Sequence, residues 1–322
     1  MPSVLLLPGD GQGPEAIAAA DTVICSITDR VEVTYGDIGM SAYEKCGEPL
    51  PFETLDLVTR SPVIISGPTA TLDGDDGVRN PLRGLLSQMN LYARSRTFRT
   101  LSGDLGRPGA EITVWGSIMN PQADIVETPD VDGMTISKYI RTEFYARTMS
   151  AALADFEMSG KTSAMSIARD DLFRESSRMF YDSFDVLFQS ADRRTGHMNI
   201  LDWISETISD PERQQFVIVA DLYAMIAESV AAGITGGDAL SPTKLVGADQ
   251  SFIMPGSMDN LDVNSASSIT AASVALADLG FRDESERVIK ALKETVAAGE
   301  RPTDMGGPLT LEEFVDSVTS RF

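Results

Sequence analysis

A chain of 322 residues with 48 acidic against 26 basic side chains has a formal charge of −22, which argues against nucleic acid or an anionic membrane as its main partner. Hydrophobic residues at 43% and charged residues at 23% exclude a disordered, collagen-like or disulfide-stapled chain, and two cysteines, Cys25 and Cys46, are too few for a thiolate zinc site. The single histidine, His197, excludes any mechanism that needs two imidazoles, and no stretch approaches the ~20 apolar residues of a membrane-spanning helix.

Val4 to Leu7 reads as a buried strand, because four apolar residues before Pro8 with no basic flank do not make an export signal. With scarce cysteine, this predicts a cytoplasmic protein. Gly9-Asp10-Gly11-Gln12-Gly13 follows as a turn. Pro14 and Glu15 then open an Ala-rich helix through Ile27, since proline suits the first helical position and an acid suits the positive helix start. A strand from Val31 to Ile38, a helix from Phe52 to Thr59 and a strand Val63-Ile64-Ile65 continue the alternation, which predicts an α/β fold with a largely parallel sheet. The Gly- and Asp-rich stretch from Thr69 to Asn80 is a loop and a candidate lid.

A strand from Ile112 to Trp115 leads to a polar, proline-interrupted stretch, Asn120 to Gly133, that predicts a hairpin arm. A helix from Ser137 to Glu157, a strand from Ser163 to Ala168 and a helix from Asp170 to Phe184 follow. His197 falls in a short basic island, Arg193-Arg194-Thr195-Gly196-His197, read as a polar loop in preference to an anion site. A helix from Ile200 to Ile208 stops at Asp210-Pro211, and a strand from Phe216 to Val219 enters a helix ending near Ala231. Helices over Val263 to Leu279, over Glu284 to Ala298 and from Leu311 complete the chain, without any repeat of fixed period.

The glycine turn comes close to the dinucleotide-binding fingerprint. Its third glycine arrives one position early, however, and Glu15 lies where a pyrophosphate would bind, so a tight turn is the favoured reading. With its flanks, Leu7 to Glu15 resembles the opening of the isocitrate and isopropylmalate dehydrogenases, the metal-dependent β-decarboxylating family. Ser66-Gly67-Pro68-Thr69 is similar to that family's Lys-Gly-Pro-Thr, Asn80-Pro81-Leu82-Arg83 to its Asn-Val-x-Leu-Arg, and Leu91-Tyr92-Ala93-Arg94-Ser95-Arg96 to its Leu-Tyr-Ala-Asn-Leu-Arg. Phe252 to Ser257 and the Ala-rich run after Thr270 follow the spacing of its cofactor loop.

The resemblance implies a large domain of residues 1–96 plus 234–322 and an inserted smaller α/β domain of residues 97–233. It also implies a dimerisation arm near 119–138, hence a homodimer or a hetero-oligomer with a related subunit. It places substrate carboxylates on Asn80, Arg83 and Arg96, where a planar guanidinium matches a carboxylate. The third clamp arginine of the family is replaced by Trp115, and no tyrosine fills the general-acid place after it. The catalytic lysine corresponds to Arg169, which cannot exchange protons near neutrality. Two metal-binding aspartates correspond to Met225 and Ser229, poor ligands for Mg2+ or Mn2+. Asp202 is the one candidate near the third ligand, although an exposed helix carboxylate is the favoured reading, and Asp221 and Glu228 read as a solvated face. In the cofactor loop Gly256, Ser257 and Asn260 persist, while Pro255 replaces the histidine beside the adenine.

Three readings follow. The leading one is a non-catalytic relative acting as a structural or regulatory subunit, needing no cofactor and binding a small carboxylate. The alternative is a divergent NAD-dependent oxidative decarboxylase of a 2-hydroxy acid such as isocitrate or isopropylmalate. There Arg169 binds substrate and Asp202, Asp221 or Glu228 holds Mg2+ or Mn2+. The third is a small-molecule binding protein that uses the old interdomain cleft.

Overall fold

The computed structural model describes residues 1–71, 80–118, 125–189, 193–213, 215–257 and 260–322. The lid reading at Thr69 to Asn80, the first half of the arm and positions 258–259 of the cofactor loop therefore lie largely outside the described residues. Twelve strands are described: β1 Ser3–Leu7, β2 Glu32–Tyr35, β3 Val63–Ser66, β4 Leu91–Arg99, β5 Glu111–Ser117, β6 Ile125–Pro129, β7 Met134–Lys138, β8 Ser163–Ala168, β9 Arg194–Asn199, β10 Phe216–Val219, β11 Thr243–Gly247 and β12 Ser251–Met254. Eleven α-helices accompany them among the described residues.

The chain divides into two compact units, one of residues 1–91, 96–110 and 232–322, the other of residues 92–95 and 111–231. In the first unit the strand order is β2-β1-β3-β12-β11, parallel except for the antiparallel pair β11 and β12. Strands β1 and β3 read Ser-Val-Leu-Leu-Leu and Val-Ile-Ile-Ser and are buried almost throughout, the pattern of parallel strands covered on both faces. One face carries Val4, Leu6, Ile65 and Ile253 against the helices Gly13–Ile27, Ser265–Asp278 and Arg282–Ala297. The other carries Leu5, Leu7, Ile64 and Phe252 against Val58, Leu82 and Leu85. Residues 97–110, expected in the insertion, belong to this unit. Arg107 N–H donates to the Ile234 carbonyl (2.9 Å), Ser241 Oγ to the Thr97 carbonyl (2.8 Å), and Arg301 grips the Asp104 carboxylate with both terminal nitrogens (2.6 and 2.7 Å).

The second unit has the parallel order β5-β10-β8-β9. Phe156, Phe188 and Phe216 cluster in its interior, and both tryptophans, Trp115 and Trp203, are fully buried there. Residues 194–199 form an edge strand rather than the expected loop. Their own polar composition gives no strand signal, but the open edge of β8 pairs them in register, Ser166 opposite His197. The expected helix from Ser137 begins later, at Thr142–Met158, because Met134–Lys138 pairs with Ile125–Pro129 as an antiparallel hairpin. The helix expected from Asp170 runs Arg174–Phe188, after a turn in which Leu172 and Phe173 N–H groups donate to the Arg169 carbonyl.

Candidate functional site

The glycine turn of the first unit is closed from within. Asp10 N–H donates to the Pro68 carbonyl (2.7 Å), Gln12 N–H to the Leu261 carbonyl (3.0 Å) and Gly13 N–H to the Asp10 carbonyl (2.9 Å). Val263 N–H in turn donates to Gln12 Oε1 (2.8 Å), so residues 261–263 lie directly on the turn. Gly11 takes φ +60°, and a Cβ there would fall 2.5 Å from Leu261 Cβ. The Asp10 carboxylate accepts from Met40 N–H (2.7 Å) and Ala70 N–H (2.6 Å) and ties three loops together. Of the cofactor-loop residues, Gly256 lies against Val263, and Asn260 Oδ1 accepts from Asp262 N–H (3.1 Å). Ser257 is exposed.

Two of the three residues expected to hold a carboxylate are committed to the chain itself. Asn80, buried, caps the helix Pro81–Gln88 by accepting from Arg83 N–H (3.0 Å), and its side chain also bonds the Thr69 hydroxyl and carbonyl (2.9 Å each). Arg96, 8% exposed, donates through Nη1 to the Asp238 carboxylate (2.6 Å) and through Nη2 to the Asp238 and Ser241 carbonyls (2.7 and 2.6 Å). Its guanidinium stands 4.7 Å above the Phe98 ring. Arg83 is exposed on the first turn of its helix.

In the second unit Trp115, expected from the resemblance at the place of the third clamp arginine, is buried, and its indole N–H donates to Asp155 (2.9 Å). Arg169 Nε donates to Asp171 (2.8 Å), and Asn199 joins Asp170 to Asp171 (2.7 and 2.8 Å). These bonds, Arg169's first, hold the Asp171 carboxyl below its ordinary range, and the same contact raises the already basic Arg169. Tyr145, buried in the helix Thr142–Met158, has its phenol pushed well above its ordinary range by burial and then by the charge of Asp221, so it cannot release a proton near neutrality.

On the helix Ala224–Thr235, Met225 is 62% exposed and the Ser229 hydroxyl donates back to the Met225 carbonyl (2.9 Å). Glu228 is 3% exposed and accepts from Arg94 Nη2 (2.6 Å), while Asp221 accepts from Lys138 Nζ (3.1 Å) with both side chains about nine-tenths buried. The expectation of a solvated face for Asp221 and Glu228 is thereby corrected. Strands β4 and β7 bring a cation to each, and a buried carboxylate requires one. Arg94 occupies an asparagine position of the family motif, and a new charge there was the available signal. Lys138, inside a hairpin, carried none.

Asp202 stands exposed on the helix Ile200–Ser209 and lines an open groove of about 680 Å3 with Asp170, Asp171, His197, Asn199 and Glu206. The His197 ring is held between Ser166 Oγ at Nδ1 (2.5 Å) and Asp185 at Nε2 (3.2 Å) and stacks on Tyr181. Arg193, read with the basic island, instead caps the end of the helix Thr142–Met158 by donating to the Phe156 and Glu157 carbonyls.

A profile of the isocitrate/isopropylmalate dehydrogenases matches residues 3–318. The chain belongs to this family. It is 24% identical to a 3-isopropylmalate dehydrogenase of Archaeoglobus fulgidus, over 99% of each chain. It is also 22% identical to an NAD isocitrate dehydrogenase regulatory subunit 3, mitochondrial, of Arabidopsis thaliana, over 98% of this chain and 88% of that one. In fold it is similar to a β-decarboxylating dehydrogenase of Thermococcus kodakarensis, with a TM-score of 0.86, 21% identity and coverage of 100% and 96%.

The family's divalent cation does not fit the described residues. Met225 and Ser229 offer a thioether and a hydroxyl already bonded to its own helix, Glu228 and Asp221 are neutralised by Arg94 and Lys138, and no set of three His, Cys, Asp or Glu able to hold a metal occurs among the described residues. A pyrophosphate does not fit the Gly9–Gly13 turn, where the Asp10, Gln12 and Gly13 N–H groups are already donated. No helix of the described residues is long and apolar enough to cross a membrane.

Proposed function

We propose that this member of the isocitrate/isopropylmalate dehydrogenase family is a non-catalytic, cytoplasmic protein that acts as a structural or regulatory subunit, as a homodimer or beside a related catalytic chain. The observation that carries the reading is the Met225 and Ser229 pair. Where two aspartates would hold the cation that polarises the reacting carbonyl, the helix presents an exposed thioether and a self-bonded hydroxyl. Arg169, paired with Asp171, supports it, because a guanidinium cannot take the lysine's part in proton transfer. The regulatory-subunit relatives show that the family includes chains so named.

The test is a spectrophotometric assay of the purified chain with isocitrate, isopropylmalate, malate or tartrate, NAD or NADP, and Mn2+. No reduced nicotinamide is expected. Metal-dependent reduction that survives repurification and disappears in Arg169→Ala would establish the divergent dehydrogenase instead. Sedimentation with and without co-purifying chains tests the subunit role.

A further inference from the structure

Arg147 is partly buried on the helix Thr142–Met158, and its guanidinium stands over the ring of Tyr92, 4.0 Å from the centroid. Tyr92 is 8% exposed and its carbonyl accepts from Ile118 N–H (2.9 Å), so the ring is a fixed platform at the start of β4. Arg30, Arg96 and Arg193 also stand over rings, at 4.7 to 4.9 Å, and each donates to a carboxylate or a carbonyl as well. Arg147 makes no hydrogen bond and no ion pair among the described residues. Shortage of acids does not explain this in a chain with 48 acidic side chains. Glu143, one turn earlier on the same helix, stands where a glutamate pairs best with an arginine four residues on. The guanidinium takes the ring instead. A ring face neutralises no charge and leaves the five N–H donors unspent. None of the Arg147 nitrogens is sealed from water, unlike Nε of Arg94.

We propose that Arg147, held on the Tyr92 ring, is the anion-contacting residue of a small-oxyanion site in the second unit. A planar fork of N–H groups fits two oxygens on one centre, as a carboxylate or a phosphoryl group presents them. The ring holds that fork in place before the ligand arrives, so less side-chain freedom is lost on binding. Both residues belong to the second unit, and the site uses none of Asn80, Arg83 and Arg96. It stands whether or not the chain turns over a substrate.

The experiment is arginine modification of the full chain by phenylglyoxal, read residue by residue in peptide mass spectra. Rates are compared in sodium chloride, sodium phosphate and sodium malonate at equal ionic strength. Millimolar phosphate or malonate should slow Arg147 several-fold and leave the exposed Arg174 and Arg287 at their chloride rates. Slowing by phosphate alone assigns a phosphoryl ligand, by malonate alone a carboxylate, and by both an oxyanion of either kind; each supports the site. Tyr92→Phe should keep the protection and Tyr92→Leu should lose it, because the ring and not the phenol hydroxyl positions the guanidinium. Arg147 unprotected in both salts, or protected no more than Arg174 and Arg287, overturns the proposal, and so does full protection in a folded Tyr92→Leu. If Tyr92→Leu does not fold, the comparison of salts on the unchanged chain decides.

Discussion

Ser229 donates its hydroxyl to the carbonyl oxygen of Met225, 2.9 Å away and one helical turn earlier. The bond leaves the helix Ala224–Thr235 regular and consumes the only hydrogen the Ser229 side chain can donate. It marks a helix face that serves the helix itself, next to an exposed apolar strip of Leu222, Met225 and Ile226.

Placing acids at this pair should create affinity for a cation. In Met225→Asp/Ser229→Asp two carboxylates stand four residues apart on one face, and hard oxygens attract Mn2+. Titration calorimetry should detect Mn2+ binding to the double variant and none to the wild type. At about 100 times the dissociation constant the gain in stability is about 2.7 kcal/mol. Equal Mn2+ heats from both proteins would contradict the reading.

Arg94→Ala should destabilise the second unit by up to about 3 to 5 kcal/mol, because it takes the Arg94 guanidinium away from the carboxylate of Glu228, which is 3% exposed. Arg94→Met/Glu228→Leu should lose much less. Urea unfolding followed by tryptophan fluorescence is the measurement, since both tryptophans belong to the second unit. Similar losses in the single and double variants would show that shape, not charge, is at stake.

The two cysteines should react differently. Both are exposed, but burial of its thiol, then the hydrogen bond to Asp21 (3.2 Å) and the charge of that carboxylate, push Cys25 up to about 11. Iodoacetamide at pH 8 should therefore label Cys46 well before Cys25 in peptide mass spectra, because the thiolate is the nucleophile. Asp21→Asn should speed Cys25. Unchanged labelling of Cys25 in that variant would remove Asp21 from the account.

Asp171 should titrate below its ordinary value of 3.8, held down first by the Arg169 hydrogen bond and then by Asn199. A depressed carboxyl contributes stability that is present above the ordinary range and lost as pH falls through the folded value, so its effect is confined to acid below about pH 4. Carbon-13 NMR of the carboxyl should show the depressed titration and its return toward the ordinary range in Arg169→Gln. An unchanged curve would mean that Asn199 alone is sufficient.

The hairpin of β6 and β7 presents Val126, Val131, Met134, Ile136 and Tyr139, each more than half exposed. A two-stranded ribbon is marginal alone and gains from a covering surface. Sedimentation at micromolar concentration should show a dimer or a mixed oligomer, weakened by Met134→Asp/Ile136→Asp. A clean monomer in the unchanged chain would end the expectation.

What the sequence determined by itself is what short-range physics encodes. The apolar runs at Val4 to Leu7 and Val63 to Ile65 became β1 and β3, Pro14 opened its helix, and the glycines of the first turn admitted close backbone contact. The residue types at Arg169, Met225 and Ser229 were equally legible, since a side chain's chemistry needs no coordinates. The partners of the charges were decided only by the tertiary structure. Arg94 meets Glu228 across 134 positions, Lys138 meets Asp221 across 83 and Arg96 meets Asp238 across 142, and each pairing depends on which strand the fold sets beside which helix or turn. The polar residues of β9 likewise became a strand because β8 offered them an unpaired edge. Burial and pairing are properties of chain crossings, and local composition carries no record of where the crossings fall.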